Sequence, residues 1–286
     1  MTTSSRDSSL GSRSSDPVRV VELERRTGAT VRAEADRVAV EEPMEVRVNG
    51  VPFSVIMRTP GEDMALAAGF LLAEDVVRGA GEIGAIEQCR DVEPEARGNV
   101  LNVTVVGEAV DRLVVRLGER RQVTTTSACG LCGRRTIESL RSRAATVDGR
   151  WTVPAALVSR LPLALRAAQR TFDATGGVHA AALTDLEGTV VRVAEDVGRH
   201  NAVDKIIGHA LLDGALPLDR AMLVLSGRTS YELVQKALLG GVPLVAAVSA
   251  PSSLAIDLAR AAGITLCGFV RGDSLNVYAH PGRLSS

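Results

Sequence analysis

The sequence predicts an α/β protein in two parts, a layered domain with a mostly parallel sheet preceded by a smaller α+β lobe. Two patterns lead there. From about residue 176 onward, short apolar runs alternate with amphipathic helical stretches, as in parallel strands joined by crossover helices. Earlier in the chain, strand-like runs dominate and centre on an Asn49-Gly50 hairpin signal. A length of 286 residues, 45% hydrophobic and 23% charged, gives room for a sizeable core and exceeds the usual single-domain size. Aromatics make up only 2%, so that core must be built from Val, Leu, Ala and Ile.

Residues 1–16, MTTSSRDSSLGSRSSD, have no apolar h-region and read as a disordered Ser-rich tail rather than a secretory signal. Residues 17–120 form the small lobe. In MEVRVNGVPFSVIM, apolar residues alternate on both sides of Asn49-Gly50. TPGEDMALAAGFLLAEDVV opens with Thr59, Pro60 and Glu62, a capping-box arrangement, and continues as an apolar helix. NVLNVTVVG and RLVVRL are expected to be strands. Residues 121–135 form a mobile loop carrying a C-x-x-C pair, and residues 136–286 form the α/β domain.

In that domain, RRTIESLRSRA and PAALVSRLPLALRAAQRTF read as helices. HAAALTD and TVVRVAED flank a Leu186–Gly188 turn, and HNAVDKIIGHALL follows as a helix. RAMLVLS leads to the helix SYELVQKALLG, VPLVAAVS leads to SSLAIDLARAAG, and ITLCGFV closes the series.

A net charge of −1 gives no support to a general nucleic-acid or anionic-membrane binder, although local basic clusters can still hold a small anion. The apolar window at 64–73 is about half a membrane span. Four cysteines in a long chain without a secretory signal point to the reducing cytoplasm, where thiols are reactive or metal-binding before they are structural.

Ligands of such sheets sit beyond the carboxyl ends of the strands, where helix N-termini present free N–H groups. Three polar strand-to-helix turns follow one another here, EDVGRHN, SGRTS and SAPSS. One alone would be an ordinary N-cap. Three on one edge, with Arg199 and Arg228 beside Ser226, Thr229 and Ser249, favour a ligand carrying several phosphates. None matches a Walker loop or G-x-G-x-x-G. His179, after paired glycines at a strand start, and His200, beside Arg199, are candidate polar contacts whose structural readings stay open. His209 and His280 read as ordinary.

Cys89 and Cys267 stand alone in apolar contexts and read as buried thiols. Cys129 and Cys132, in TTTSACGLCGRR, have an arginine pair and an expected helix N-terminus nearby, both of which favour thiolate. CGLCG also resembles one knuckle of a zinc ribbon, but there is no second C-x-x-C. No metal site is expected. A thioredoxin-like motif would sit after the first strand of a βαβ unit, and this pair lies between two lobes.

Together, TSACGLCG, GGVHAAAL, EDVGRHNAVDK, SGRTSYELVQK, SAPSSLAIDLA and LCGFVRGDSLNVY resemble the FdhD/NarQ family of formate dehydrogenase accessory proteins, from about residue 30 to the end. The resemblance implies a cytidine-deaminase-like α/β fold, a homodimer and a cytoplasmic sulfurtransferase or sulfur carrier. It implies a persulfide received from a cysteine desulfurase on Cys129, with Cys132 assisting. The sulfur would be passed to the bis-molybdopterin guanine dinucleotide form of molybdenum cofactor before insertion into formate dehydrogenase. The family's cofactor-binding stretch matches Phe269, Val270, Arg271, Gly272, Asp273 and Ser274. Deamination is not implied, because Ala181 stands where the proton-shuttling Glu of H-x-E would be. Two other classes are weighed beside the carrier: a non-catalytic cofactor-binding chaperone and a zinc-stabilised module.

Overall fold

The computed structural model describes residues 16–120 and 146–286. The Cys129 and Cys132 loop and the helix expected over RRTIESLRSRA lie outside them.

The main sheet has six strands in the order β13-β12-β11-β10-β8-β9. They are β8 (His179–Thr184), β9 (Val190–Asp196), β10 (Met222–Leu225), β11 (Leu244–Ala247), β12 (Thr265–Arg271) and β13 (Ser274–Ala279). The expected parallel arrangement holds at the centre, where β10, β11 and β12 run parallel. The flanks are antiparallel: β8–β9 is the hairpin predicted around Leu186–Gly188, and β13 folds back on β12. ITLCGFV therefore does not close the series. The Gly272 turn, at φ 63°, lets the chain return as one more edge strand.

Alternation places both faces of this sheet in core. Ala180, Ala182, Met222, Val224, Leu244, Ala246 and Cys267 face α3 (Ala155–Ala168). Ala181, Leu183, Leu223, Leu225, Val245, Ala247 and Leu266 belong to the larger core on the other side. That side is covered by α5 (Arg199–Leu212), α6 (Tyr231–Leu239) and α7 (Ser253–Ala262). The single helix expected over PAALVSRLPLALRAAQRTF is broken at Gln169, so α4 (Arg170–Thr175) starts afresh.

The N-terminal part contains a long antiparallel ribbon, β1 (Val18–Thr27) with β2 (Thr30–Ala39), which the strand reading did not single out. It then forms a four-stranded sheet ordered β4-β3-β6-β5. Its strands are β3 (Glu42–Val48), β4 (Val51–Arg58), β5 (Ile83–Gln88) and β6 (Val100–Val105). Asn49, at φ 51°, and Gly50, at φ 80°, make the predicted hairpin turn. RLVVRL is not a strand but part of α2 (Glu108–Arg120). Its buried residues, Ala109 and Leu113, recur at helical spacing, while the β-branched Val114 and Val115 project outward. The remaining pair, β7 (Val153–Pro154) with β14 (Leu284–Ser285), is short and parallel.

Helix α1 (Asp63–Ala73) joins the two parts by packing along α5. Gly69 and Gly208 make this possible: a Cβ on either would collide with the carbonyl of Asp204 or Ala65. The predicted capping box does not form. Glu62 is the N-cap with left-handed backbone and no side-chain bond to the helix. Its carboxylate instead meets His209 Nε2 at 2.9 Å, and Thr59 Oγ1 accepts from Val197 N at 3.1 Å. Both capping residues are taken up by contacts with the other sheet's connections. One hydrophobic core, from Met44 to Leu266, runs across both parts.

Candidate functional site

The strand register decides where the three polar turns meet. His179 opens β8 opposite Asp196, the last residue of β9, and Ala181 pairs with Leu225, the last residue of β10. The parallel run of β10, β11 and β12 puts their carboxyl ends on the same edge. The segments 196–200, 226–230, 248–252 and 269–272 therefore converge.

Backbone bonds join these segments. Ser226 N donates to Ala180 O at 3.0 Å, and Ala180 N donates to Ser226 Oγ at 2.8 Å. Thr229 N donates to Ala250 O at 3.1 Å, and Ser252 N to Thr229 O at 2.9 Å. Phe269 N donates to Ser249 O at 3.2 Å, which holds Phe269 at φ 52°. A non-glycine residue in that region is held by its surroundings. Gly268 is packed against Pro251 and Ser249, where a Cβ would be 2.9 Å from Pro251 Cδ.

Side chains on this edge are incompletely satisfied. Thr229 is 1% exposed and its Oγ1 has no partner; Arg199 Nε is also buried without one. Most buried polar atoms find partners, so such exceptions mark positions open to a ligand. Arg228 is exposed at the rim. Burial, then the charges of Arg199, Arg228 and His200, lower the His179 pKa, with Asp196 opposing. The imidazole is thus held neutral among cations. His200 is tied down, its Nε2 lying 2.8 Å from Glu232 Oε2 and 3.2 Å from Ser230 Oγ. Glu232, buried in the first turn of α6, was not singled out from the sequence, and a Glu at that position carries no distinguishing signal.

The FVRGDS stretch divides. Phe269 borders the edge, whereas Val270 is fully buried in the core beneath α3 and offers no surface to a ligand. Arg271 lies over the Phe269 ring at 6.0 Å, Gly272 and Asp273 form the exposed tip, and Ser274 Oγ donates to Arg271 O at 3.3 Å.

Beside the edge opens a cavity of about 530 Å³ whose lining includes Gln169, Phe172, His179, Ser226 and Val248. The edge can therefore hold anionic groups with Arg199 and Arg228, and a less polar moiety can enter the cavity. Cys267 is fully buried, and burial alone pushes its thiol up to about 12, so it is inert; Cys89 is partly buried. Among the described residues no three His, Cys, Asp or Glu side chains gather to hold a metal, and no helix is long and apolar enough to cross a membrane.

The model of the FdhD/NarQ family matches residues 39–285. A "Sulfur carrier protein FdhD" of Streptomyces avermitilis is 49% identical over 268 residues, covering 91% of this chain and 93% of that protein. Its namesake from Mycobacterium tuberculosis is 48% identical, covering 87% and 92%. A solved structure from Desulfotalea psychrophila, described as a formate dehydrogenase accessory protein, superimposes with a TM-score of 0.74 at 24% identity. The likeness covers 94% of this chain and all of that one, and it shows a shared fold.

Proposed function

The chain belongs to the FdhD/NarQ family, and from that premise we propose that it is a sulfur carrier serving formate dehydrogenase. In this reading Cys129 thiolate attacks the sulfane sulfur of a desulfurase persulfide. A new S–S bond forms, the old one breaks, and the desulfurase cysteine leaves as thiolate. The terminal sulfur is then delivered to the molybdenum of bis-molybdopterin guanine dinucleotide, which is a substrate here. Taking up that sulfur as sulfide draws an electron pair from the metal centre, and Cys129 is released as thiolate. Cys132 is the assisting thiol, and the protein works as a cytoplasmic homodimer.

The observation that carries the cofactor half of this proposal is the under-satisfied carboxyl edge. Arg199, Arg228 and the unpaired Thr229 hydroxyl lie beside a cavity of about 530 Å³. A ligand with phosphates joined to heterocycles suits that mixture of fixed positive charge and apolar wall.

Complementation of formate dehydrogenase activity tests the proposal. Cys129→Ala is expected to abolish it while the purified variant still binds cofactor. Full complementation by the Cys129→Ala, Cys132→Ala double variant would instead establish the non-catalytic chaperone.

A further inference from the structure

Helix α2 (Glu108–Arg120) departs from the pattern of every other helix in the described residues. A surface helix normally keeps its apolar residues on the buried stripe and polar ones outside. The buried stripe of α2 is ordinary: Ala109 and Leu113 lie in the core, and Leu117 packs against it. On the outer side, however, Val110, Val114 and Val115 are 38%, 65% and 58% exposed. A spacing of four puts Val110 and Val114 on adjacent turns of one face, with Val115 beside them. Each of the other six α-helices exposes at most one large apolar side chain, such as Leu163 on α3 or Leu254 on α7. Single exposures are normal, whereas a cluster marks a contact surface. Valine is also a poorer helix former than Glu, Lys or Ala, so the helix itself gains nothing from three of them.

The charges of α2 are sorted so that the valine face stays apolar. Arg112 is turned to Glu82, and its Nε donates to Val76 O at 3.2 Å. Arg116 meets Asp75 Oδ2 at 2.9 Å. Both guanidinium groups are thus directed back to the body of the lobe. Glu108, 85% exposed, and the exposed Asp111 stand at the N-terminal end of the face and make that end acidic.

Area and position define what covers this face. A helix of 13 residues is about 20 Å long and about 10 Å wide, a footprint on the order of 200 Å². A stable dimer buries about 800 Å² per partner, so the face suits a protein that comes and goes rather than a permanent second copy. Cys129 follows nine positions after Arg120, and nine residues span at most about 30 Å. A protein docked on α2 therefore stands within reach of the thiol that receives sulfur.

We propose that the valine face of α2 is the docking surface for the persulfide-bearing protein that loads Cys129. That partner offers an apolar contact with basic groups beside it, matching Val110, Val114 and Val115 next to Glu108 and Asp111. The proposal rests on the sulfur-carrier reading above and adds the place where the donor binds.

The test compares sulfur uptake by the full chain from two donors, read as intact mass against time. One donor is a cysteine desulfurase supplied with cysteine; the other is glutathione persulfide, which needs no docking surface. Val114→Glu is expected to raise the half-saturating desulfurase concentration about tenfold at unchanged maximal rate. Uptake from glutathione persulfide should stay as in the wild type. The Val110→Thr, Val114→Thr double variant keeps the side-chain shape and should shift the same constant severalfold, which guards against a folding defect in the Glu variant. Unchanged half-saturation in both variants would overturn the proposal. Equal slowing with both donors would also overturn it, assigning the face to residues 121–145 of the same chain. Loss of a dimer on sedimentation of Val114→Glu would assign the face to a second copy, with the same consequence. A wild-type chain that takes sulfur from neither donor would sink the carrier reading and the proposal together; one loaded by glutathione persulfide alone would sink only the proposal.

Discussion

In the seam between α1 and α5 the buried charges are saturated, whereas at the carboxyl edge reached by the same helix α5 buried polar atoms lack partners. Lys205 is 1% exposed, and its ammonium meets Asp196 Oδ2 at 2.9 Å and the carbonyls of Thr59 and Glu195 at 3.1 Å each. Asp196 also accepts from Thr59 N, Gly198 N and Asn201 Nδ2. A few residues away, Arg199 Nε and Thr229 Oγ1 have nothing. A saturated cluster needs no ligand to justify its burial and so serves the fold. An unsaturated one carries a desolvation cost that the fold alone does not recover. The contrast fits Lys205 to stability and supports the proposal that Thr229 serves binding, although both are buried polar residues.

The largest effect should come from breaking the seam. Lys205→Met leaves the buried Asp196 carboxylate without its cation, which is expected to cost about 3–5 kcal/mol in urea denaturation. A loss below about 1 kcal/mol would erase the contrast. At the edge, Arg228→Ala should lower affinity for guanosine monophosphate about tenfold, since a charge-assisted contact is removed, while shifting stability by less than about 0.5 kcal/mol. Thr229→Val removes a hydroxyl that has no partner in the free protein. Its denaturation midpoint is expected to stay level or rise slightly, because an apolar group of the same shape relieves the burial cost. A fall of more than about 1 kcal/mol would show that the hydroxyl serves the fold after all.

The smallest effect is a pH dependence. The folded His179 pKa lies below the ordinary 6.5, so below 6.5 the unfolded chain takes up a proton that the folded chain refuses. Stability from this residue is complete above 6.5 and falls as pH drops from 6.5 towards the lowered value. Denaturation curves of His179→Gln against pH should lack that component. An identical profile would place the imidazole in ordinary solvent.

How much of this was legible in the sequence follows from how local each signal is. The turns 195–201, 226–230 and 249–253 are written in adjacent Gly, Ser, Thr and Arg after apolar runs, and the predicted convergence on one edge holds. RLVVRL misleads because the adjacent Leu113, Val114 and Val115 mimic a strand, while the helical spacing shows only when Leu113 is paired with Ala109, which lies outside that stretch. The Thr59–Glu62 capping box has the right spacing, but Val197 and His209, over 130 positions away, compete for its side chains. Gln169 gave no signal: a helix-favouring residue in a helical pattern does not disclose that the helix breaks there. Val270, carried over within a motif, belongs to the core because β12 alternates. The cysteine pair, expected to be reactive from its neighbours, lies outside the described residues, and its assignment to sulfur rests on the family resemblance.

Sulfur carriage on Cys129 is the central claim. The most direct measurement is intact mass after incubation with desulfurase and cysteine. The wild-type chain is expected to gain one sulfur atom, which is lost on reduction and absent from Cys129→Ala. An adduct of undiminished yield in Cys129→Ala would contradict it.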